Sequence, residues 1–379
     1  MVMKNRVIHI LKLVLIITIT LSLPLMLVAQ TDVALERDSK DSVTSTTSQP
    51  YVNNPLFSDE EVLRFKLVVD YNALLKDRGE ERGYHPATIS YKVASGAVEK
   101  IDLKVMVRGN RRRDPTVCRF PPIMLNFPRK TVITTVFGKV NKLKLVTHCV
   151  GEDYVLREYL VYKAYNVLTD MSFRVRLCQV EFEDINNKRK SETRYAFLIE
   201  DDKDVARRNR STIVPEELPI RMNGTNTSAM AKLAVFQYMI GNTDWSVPFR
   251  HNIKLLSQDS LQPPIPVPYD YDYSGIVATP YAVPPPELGI TSVRQRLFRG
   301  YDFPDSVYTE VINTFNKHRQ DIYNVYQNCA LLDKGYRKQT LKYLDRFYET
   351  INNPKDFRNN IVRIGQKNQK SYVVVKGLE

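Results

Sequence analysis

The apolar residues change their spacing once along the chain, and that switch bounds what it can fold into. From Leu56 to about residue 200 they come in short alternating runs, and from about Ser228 they recur at helical intervals. Alternation marks a strand with one buried face, and a stripe every three to four residues marks a helix. Val62-Leu63-Arg64-Phe65-Lys66-Leu67-Val68-Val69, Ala87–Val93 and Ile101–Val107 read as strands, with Pro121–Phe127 and Val132–Phe137 as two more. Strand and helix do not take turns here, which excludes a nucleotide-binding sheet of the βαβ kind and predicts a mostly antiparallel arrangement.

One helix interrupts this region. Tyr154, Leu156, Tyr159, Leu160, Tyr162, Tyr165 and Leu168 share a stripe, and Glu152 and Asp153 suit the positive end of its dipole. Phe173–Phe182 alternates again, and Asp184-Ile185-Asn186-Asn187 turns it toward Arg194–Ile199, the pattern of a hairpin. Beyond Ser228, Ala229–Ile240 reads as one helix, 305–332 as two short helices or one long one, and 338–350 and 356–365 as further helices. The eight prolines between residues 262 and 286 argue against regular structure there.

The first residues have the pattern of a secretory signal. Lys4 and Arg6 precede an apolar run from Leu13 to Val28, and small Ala29 ends it. Cleavage near Ala29 is the expected outcome, with an uncleaved anchor as the alternative; Pro24 weakens the run as a membrane helix. Residues 30–55 are polar and read as a tether. The expected division is therefore a signal peptide at 1–29, the tether at 30–55, a β-rich part at 56–200 and a helix-rich part at 201–379. The chain would be exported, to a periplasm, a cell envelope or the medium, touching a membrane only through its N-terminal segment if that is kept. Export permits disulfides, and of the four cysteines Cys118 and Cys149 are the pair to expect, against the alternative that all four are buried thiols. No spacing of cysteine and histidine suits zinc. With 55 Lys and Arg against 42 Asp and Glu, the net charge of +13 favours anionic partners. The arginines lack the interleaved aromatics of a stacking groove, so no nucleic acid is expected.

Polar residues concentrate in two loops after the Ala229–Ile240 helix. The first runs Gly241-Asn242-Thr243-Asp244-Trp245-Ser246 and on to His251-Asn252, and the second runs Tyr269-Asp270-Tyr271-Asp272-Tyr273-Ser274-Gly275. Ile253-Lys254-Leu255-Leu256 lies between them as a returning strand. Phosphoryl transfer needs these groups. One carboxylate orients the attacking hydroxyl, and an amide oxygen and a second carboxylate hold Mg²⁺ against the phosphates. Taken alone, Asp270 and Asp272 would as readily be turn residues or calcium ligands.

At these positions the chain resembles the CotH family of atypical secretory kinases, and more distantly HipA-type kinases. Val107-Arg108-Gly109-Asn110 resembles the family's arginine-glycine-asparagine turn. Lys142–Leu168, with Leu145-Val146 before Asp153 and Leu156-Arg157, resembles its strand-to-helix passage, and the two loops resemble its catalytic loops. The resemblance implies a two-lobed α+β fold of protein-kinase type and transfer of the ATP γ-phosphate to a protein hydroxyl with Mg²⁺. It makes Asp244 the catalytic aspartate, Asn252 a metal ligand, and Asp272 or Asp270 the second, with Asp272 preferred for its flexible exit through Ser274-Gly275. Tyr195–Glu200 becomes the hinge whose backbone could hold adenine, and Glu158 the helix carboxylate paired with a phosphate-binding cation.

The chain departs from the family twice. Asp244 and Asn252 stand eight positions apart, against roughly five in the standard kinase loop, so the extra residues must bulge. The family's paired lysines should lie near 119–122, where this chain has Arg119-Phe120-Pro121-Pro122; Arg119, or Lys144 on the next strand, is the substitute cation. If neither serves, the protein is a pseudokinase that binds an envelope or surface-assembly protein. Arg108 and Arg111-Arg112-Arg113 could cradle phosphate, but such a four-arginine patch is more commonly a solvated loop or an anionic docking surface. His148 and His251 read as structural.

Overall fold

The computed structural model describes residues 54–128 and 132–370. The signal segment and nearly all of the tether lie outside the described residues, and among these no helix is long and apolar enough to cross a membrane.

The alternating runs form seven strands: β1 Leu63–Val69, β2 His85–Lys92, β3 Val98–Val107, β4 Ile123–Asn126, β5 Lys142–Val146, β6 Val175–Asp184 and β7 Glu192–Ile199. They close into a barrel of order β1-β2-β3-β4-β5-β7-β6. Every pairing is antiparallel except the closing one, in which β1 runs parallel to β6 with Leu63 opposite Cys178 and Val69 opposite Asp184. Alternation sends Leu63, Phe65, Leu67 and Val69 inward and leaves Arg64 outside. Together with Ile89, Val105, Leu125, Leu145 and Val180 they fill a hydrophobic core of the barrel's own. The expected strand over Val132–Phe137 is a series of turns instead. The expected antiparallel character holds, but closure was not foreseen: a parallel seam between distant strands leaves no local mark.

Helix α1 (Tyr71–Lys76) follows β1, and α2 (Glu152–Leu168) lies between β5 and β6, where the stripe placed it. Glu152 and Asp153 occupy its first turn. Cys118 and Cys149 are joined as a disulfide with Cα atoms 4.8 Å apart, while Cys178 and Cys329 are free.

After β7 come α3 (Asp202–Arg208), β8 (Thr212–Ile213), α4 (Thr227–Ile240), β9 (Ile253–Ser257) and β10 (Ile265–Pro268). β10 lies within the proline-rich stretch that argued against regular structure. It is an edge strand of the sheet β10-β9-β8, the place where Pro266 and Pro268 remove no interior hydrogen bond. The 305–332 region resolves into α5 (Asp305–Lys317) and α6 (Arg319–Gln327), followed by α7 (Lys334–Asn352). The last helical stretch, expected at 356–365, begins at Pro354 and ends at Lys370 with a π-helical segment at Arg358–Val362. These helices pack with α2 and the small sheet in a second core that includes Tyr162, Phe236, Trp245, Tyr271, Phe298 and Phe347. The chain is thus a mixed α and β protein, sheet-rich in its first part and helical in its second.

Candidate functional site

The two polar loops meet because β9 and β10 are a hairpin. Ile253 is opposite Pro268, so Asn252 and Tyr269 flank its open end, where the Tyr269 amide donates to the Asn252 carbonyl at 3.0 Å. A second seam lies at the end of α4. Gly241 caps that helix at φ 68°, a left-handed conformation that suits glycine. The Gly275 amide donates to the Gly241 carbonyl, and that of Ile276 to Ile240, both at 3.0 Å.

The extra residues between Asp244 and Asn252 are largely buried, with Phe249 alone of them exposed. Ser246 and His251 exchange backbone hydrogen bonds at 2.9 and 3.0 Å, closing a tight turn over Val247–Arg250 that returns Asn252 to Asp244. The Asn252 side-chain amide donates to the Asp244 carbonyl at 2.9 Å and to its Oδ2 at 3.1 Å. Asp244 Oδ1 lies 2.8 Å from His251 Nε2, and its amide donates to Asn242 Oδ1 at 3.0 Å. Burial pulls the His251 imidazole down, but the hydrogen bond and charge of Asp244, with Asp270 behind, outweigh it and hold its pKa above the ordinary value. Buried Arg299 pins the loop from beneath by donating to the carbonyls of Thr243 and Trp245.

The second loop is organised by an arginine that the sequence left in the solvent. Arg112, the middle of three arginines in a single 3-10 turn (Arg111–Arg113), is 7% exposed. Its guanidinium reaches Glu158 of α2 at 3.2 Å, Asp270 at 2.6 Å and Asp272 at 3.2 Å. Asp272 also accepts from the Tyr281 hydroxyl at 2.8 Å. The environment separates the two aspartates. Burial raises Asp270, but Arg112 and Arg108 more than offset it and leave the carboxyl below its usual range. Burial also raises Asp272, and with Asp270 and Glu158 nearby it stays well above that range despite Arg112. Burial lifts Glu158 to about 7, against the pull of Arg112. Asp270 keeps 29% of its side chain exposed where Asp272 keeps 7%. Asp270 and Asn252 both hold left-handed backbone, at φ 62° and 53°, a region that Asn and Asp enter more readily than other non-glycine residues.

The remaining expected residues divide. Lys144, on β5, lies over the rings of Tyr269 at 5.3 Å and Phe173 at 5.9 Å. Burial, and then the charge of Arg108, lower its pKa to about 8. Arg108, at the end of β3, is lowered by burial and raised by the charge of Asp270, so both cations adjoin the second loop. Glu158 does pair with a cation, but that cation is Arg112. Arg119 is exposed, and its described contact is a carbonyl that accepts from Arg78 at 2.7 Å; the structure does not bring it to the acids. Glu200 departs from its expected place too. Its carboxylate is buried against Arg208 at 3.0 Å and accepts from the Arg174 amide at 3.0 Å, while its own amide donates to the Arg174 carbonyl. Beyond it opens a cavity of about 920 Å³ lined by Val140, Lys142, Asp201, Asp204 and Ile213 among others.

Together these groups form a buried cation bridging three carboxylates, beside a coupled aspartate–asparagine pair, where the barrel's β3–β4 loop meets α2 and the two loops. No protein-family model matches the chain, and no curated protein matches it. Among solved structures the chain is similar to the Helicobacter pylori proinflammatory kinase CtkA, with a TM-score of 0.34 and 9% identity over 78% of this chain and 96% of that one. A likeness of that degree is too slight to assign an activity to these residues.

Proposed function

We propose that the protein is an exported, two-lobed kinase-like enzyme that transfers the γ-phosphate of ATP to a protein hydroxyl. The observation that carries the reading is the joining of Asp244, Asn252 and Asp270 at the mouth of one hairpin. Asp244 accepts the acceptor's hydroxyl proton as the oxygen attacks phosphorus in line, and ADP leaves on the opposite side. Asn252 commits its amide nitrogen to Asp244, which leaves its amide oxygen, with the Asp270 carboxylate on the adjoining loop, as oxygen donors of the type Mg²⁺ takes. Among the described residues, however, no cluster of three or more His, Cys, Asp or Glu gathers as a metal site. When bound, that ion would neutralise charge on the phosphates. We prefer Asp270 to Asp272 as ligand because it is the more exposed of the two and because Arg112 and Arg108 favour its charged form. Arg112 takes the place of the family's missing lysine, paired with Glu158 as the β3 lysine of ordinary kinases is with its helix glutamate. Lys144 and Arg108 add positive charge for the phosphates.

Export is proposed from the signal pattern at 1–29, supported by the Cys118–Cys149 bond, since disulfides persist in oxidising compartments. The acceptor would be another exported or envelope protein. The test is turnover of γ-labelled ATP with Mg²⁺ by wild type and Asp244→Ala; equal rates would remove the assignment. One observation favours a pseudokinase: Arg112 already engages both Asp270 and Asp272, which a metal would have to share. That reading expects ATP and Mg²⁺ to leave the melting temperature unchanged, with no turnover.

A further inference from the structure

Arg112 is seated by more than its acids. Its loop leads to Cys118, which is bonded to Cys149 in the turn just before α2, the helix that carries Glu158. The disulfide spans 31 positions and joins the two segments whose side chains meet as the Arg112–Glu158 pair. Its surroundings are dry: Cys118 is fully buried and Cys149 nearly so. The Phe120 ring stacks on His148 with centroids 4.6 Å apart, and Thr147 donates to the Phe120 carbonyl at 2.7 Å. On the other side, Arg78 donates to the carbonyls of Arg113, Cys118 and Arg119. The loop therefore has one covalent tie, to the turn just before α2, beside a backbone bridge between Phe120 and Cys149 and these hydrogen bonds.

We infer that the Cys118–Cys149 disulfide is the brace that keeps Arg112 between Glu158 and Asp270, so that the site is complete only in the oxidised protein. The structural claim stands on the geometry alone, and its consequence for nucleotide rests on the phosphoryl-transfer reading. Reduction is an exchange with a dithiol such as dithiothreitol. One reagent thiolate attacks a cysteine sulfur and the second closes the reagent's ring. The S–S bond breaks, and two electrons and two protons pass to Cys118 and Cys149 as thiols.

The experiment is hydrogen–deuterium exchange on the full chain, oxidised and dithiothreitol-reduced, with the thiols trapped and counted, and on the double variant Cys118→Ser/Cys149→Ser. Exchange should quicken at least tenfold over residues 110–120 and the first turns of α2, with α5 to α7 unchanged. Unchanged protection in 110–120 overturns the brace. So does a loss of protection throughout, which would make the bond a support of the whole fold. A second arm measures the rise in melting temperature with ATP and Mg²⁺. The rise should be present in oxidised protein, lost on reduction and restored by oxidised glutathione; a rise of equal size in reduced protein also overturns the inference. If oxidised protein shows no rise, the phosphoryl-transfer reading fails, while the exchange result still decides the brace.

Discussion

Replacing Arg112 with methionine tests the centre of the site without any assumption about its ligand. The substitution keeps most of the side chain's bulk and removes the charge that faces Glu158, Asp270 and Asp272 at 3.2, 2.6 and 3.2 Å. Breaking a buried pair by removing one partner costs about 3–5 kcal/mol, because the abandoned charge stays buried. That is a large part of a typical domain's ~5–15 kcal/mol. The sign of the pH dependence follows from the carboxyls. Glu158 already stands raised to about 7 with Arg112 present, and without it all three carboxyls move up. A carboxyl raised in the folded state contributes stability that is complete below its unfolded value and is lost as pH rises through the folded one. The penalty of Arg112→Met should therefore be greatest near about pH 8 and shrink toward about pH 5 as the folded protein takes up protons. Urea unfolding of both proteins at the two pH values measures it, and adding Glu158→Gln should recover part of the loss. A cost below about 1 kcal/mol at the higher pH, or one that grows on acidification, would refute the reasoning.

Asp270→Asn should abolish the Mg²⁺-dependent part of the thermal shift with ATP, whereas Asp272→Asn should largely keep it; the reverse result would return the metal to Asp272. Asp244→Asn should lower turnover by a factor of about 10² or more with ATP binding intact, the usual scale for losing a general base; comparing kcat with nucleotide affinity checks it. Lys144→Met should stabilise the protein at neutral pH by ~1–3 kcal/mol, because a buried lysine lowered to about 8 is held charged at a cost. The gain should shrink as pH rises above about 8, where the folded lysine begins to lose its proton, and vanish near the unfolded value of 10.5. Gly241→Ala should lower Tm by several degrees, since a Cβ there would meet the Tyr343 hydroxyl while the backbone keeps its left-handed turn.

Most of this architecture could be read from local pattern, because what it required was local. The stripe from Tyr154 to Leu168 became α2, the alternation of Leu63–Val69 became β1, and the short apolar run at Ile253 became the returning strand between the loops. The residues of the two loops were visible for the same reason, since Asn252 and Asp270 are brought together by one hairpin. Arg112 was not visible. Three consecutive arginines look alike in a sequence, and only the 3-10 turn decides that the first faces solvent while the second is buried. The one usable signal was indirect: pairing Cys118 with Cys149 would have carried the arginine run to the start of α2. The separation of Asp270 from Asp272 was equally out of reach, because it depends on which carboxyl Tyr281 and the surrounding burial hold in the dry.

The parallel seam between β1 and β6 has a consequence for how the chain comes off the ribosome. The first strand waits for a neighbour that begins at Val175, so synthesis of more than a hundred further residues separates its appearance from the completion of the cylinder. During that interval β1 to β5 can pair only as an open sheet, with the future barrel lining uncovered on one face. Distant pairing of this kind slows folding and leaves incomplete chains exposed to one another. Truncations ending between β5 and β6 should therefore bind a chaperone holdase or aggregate, and those reaching past Ile199 should escape it.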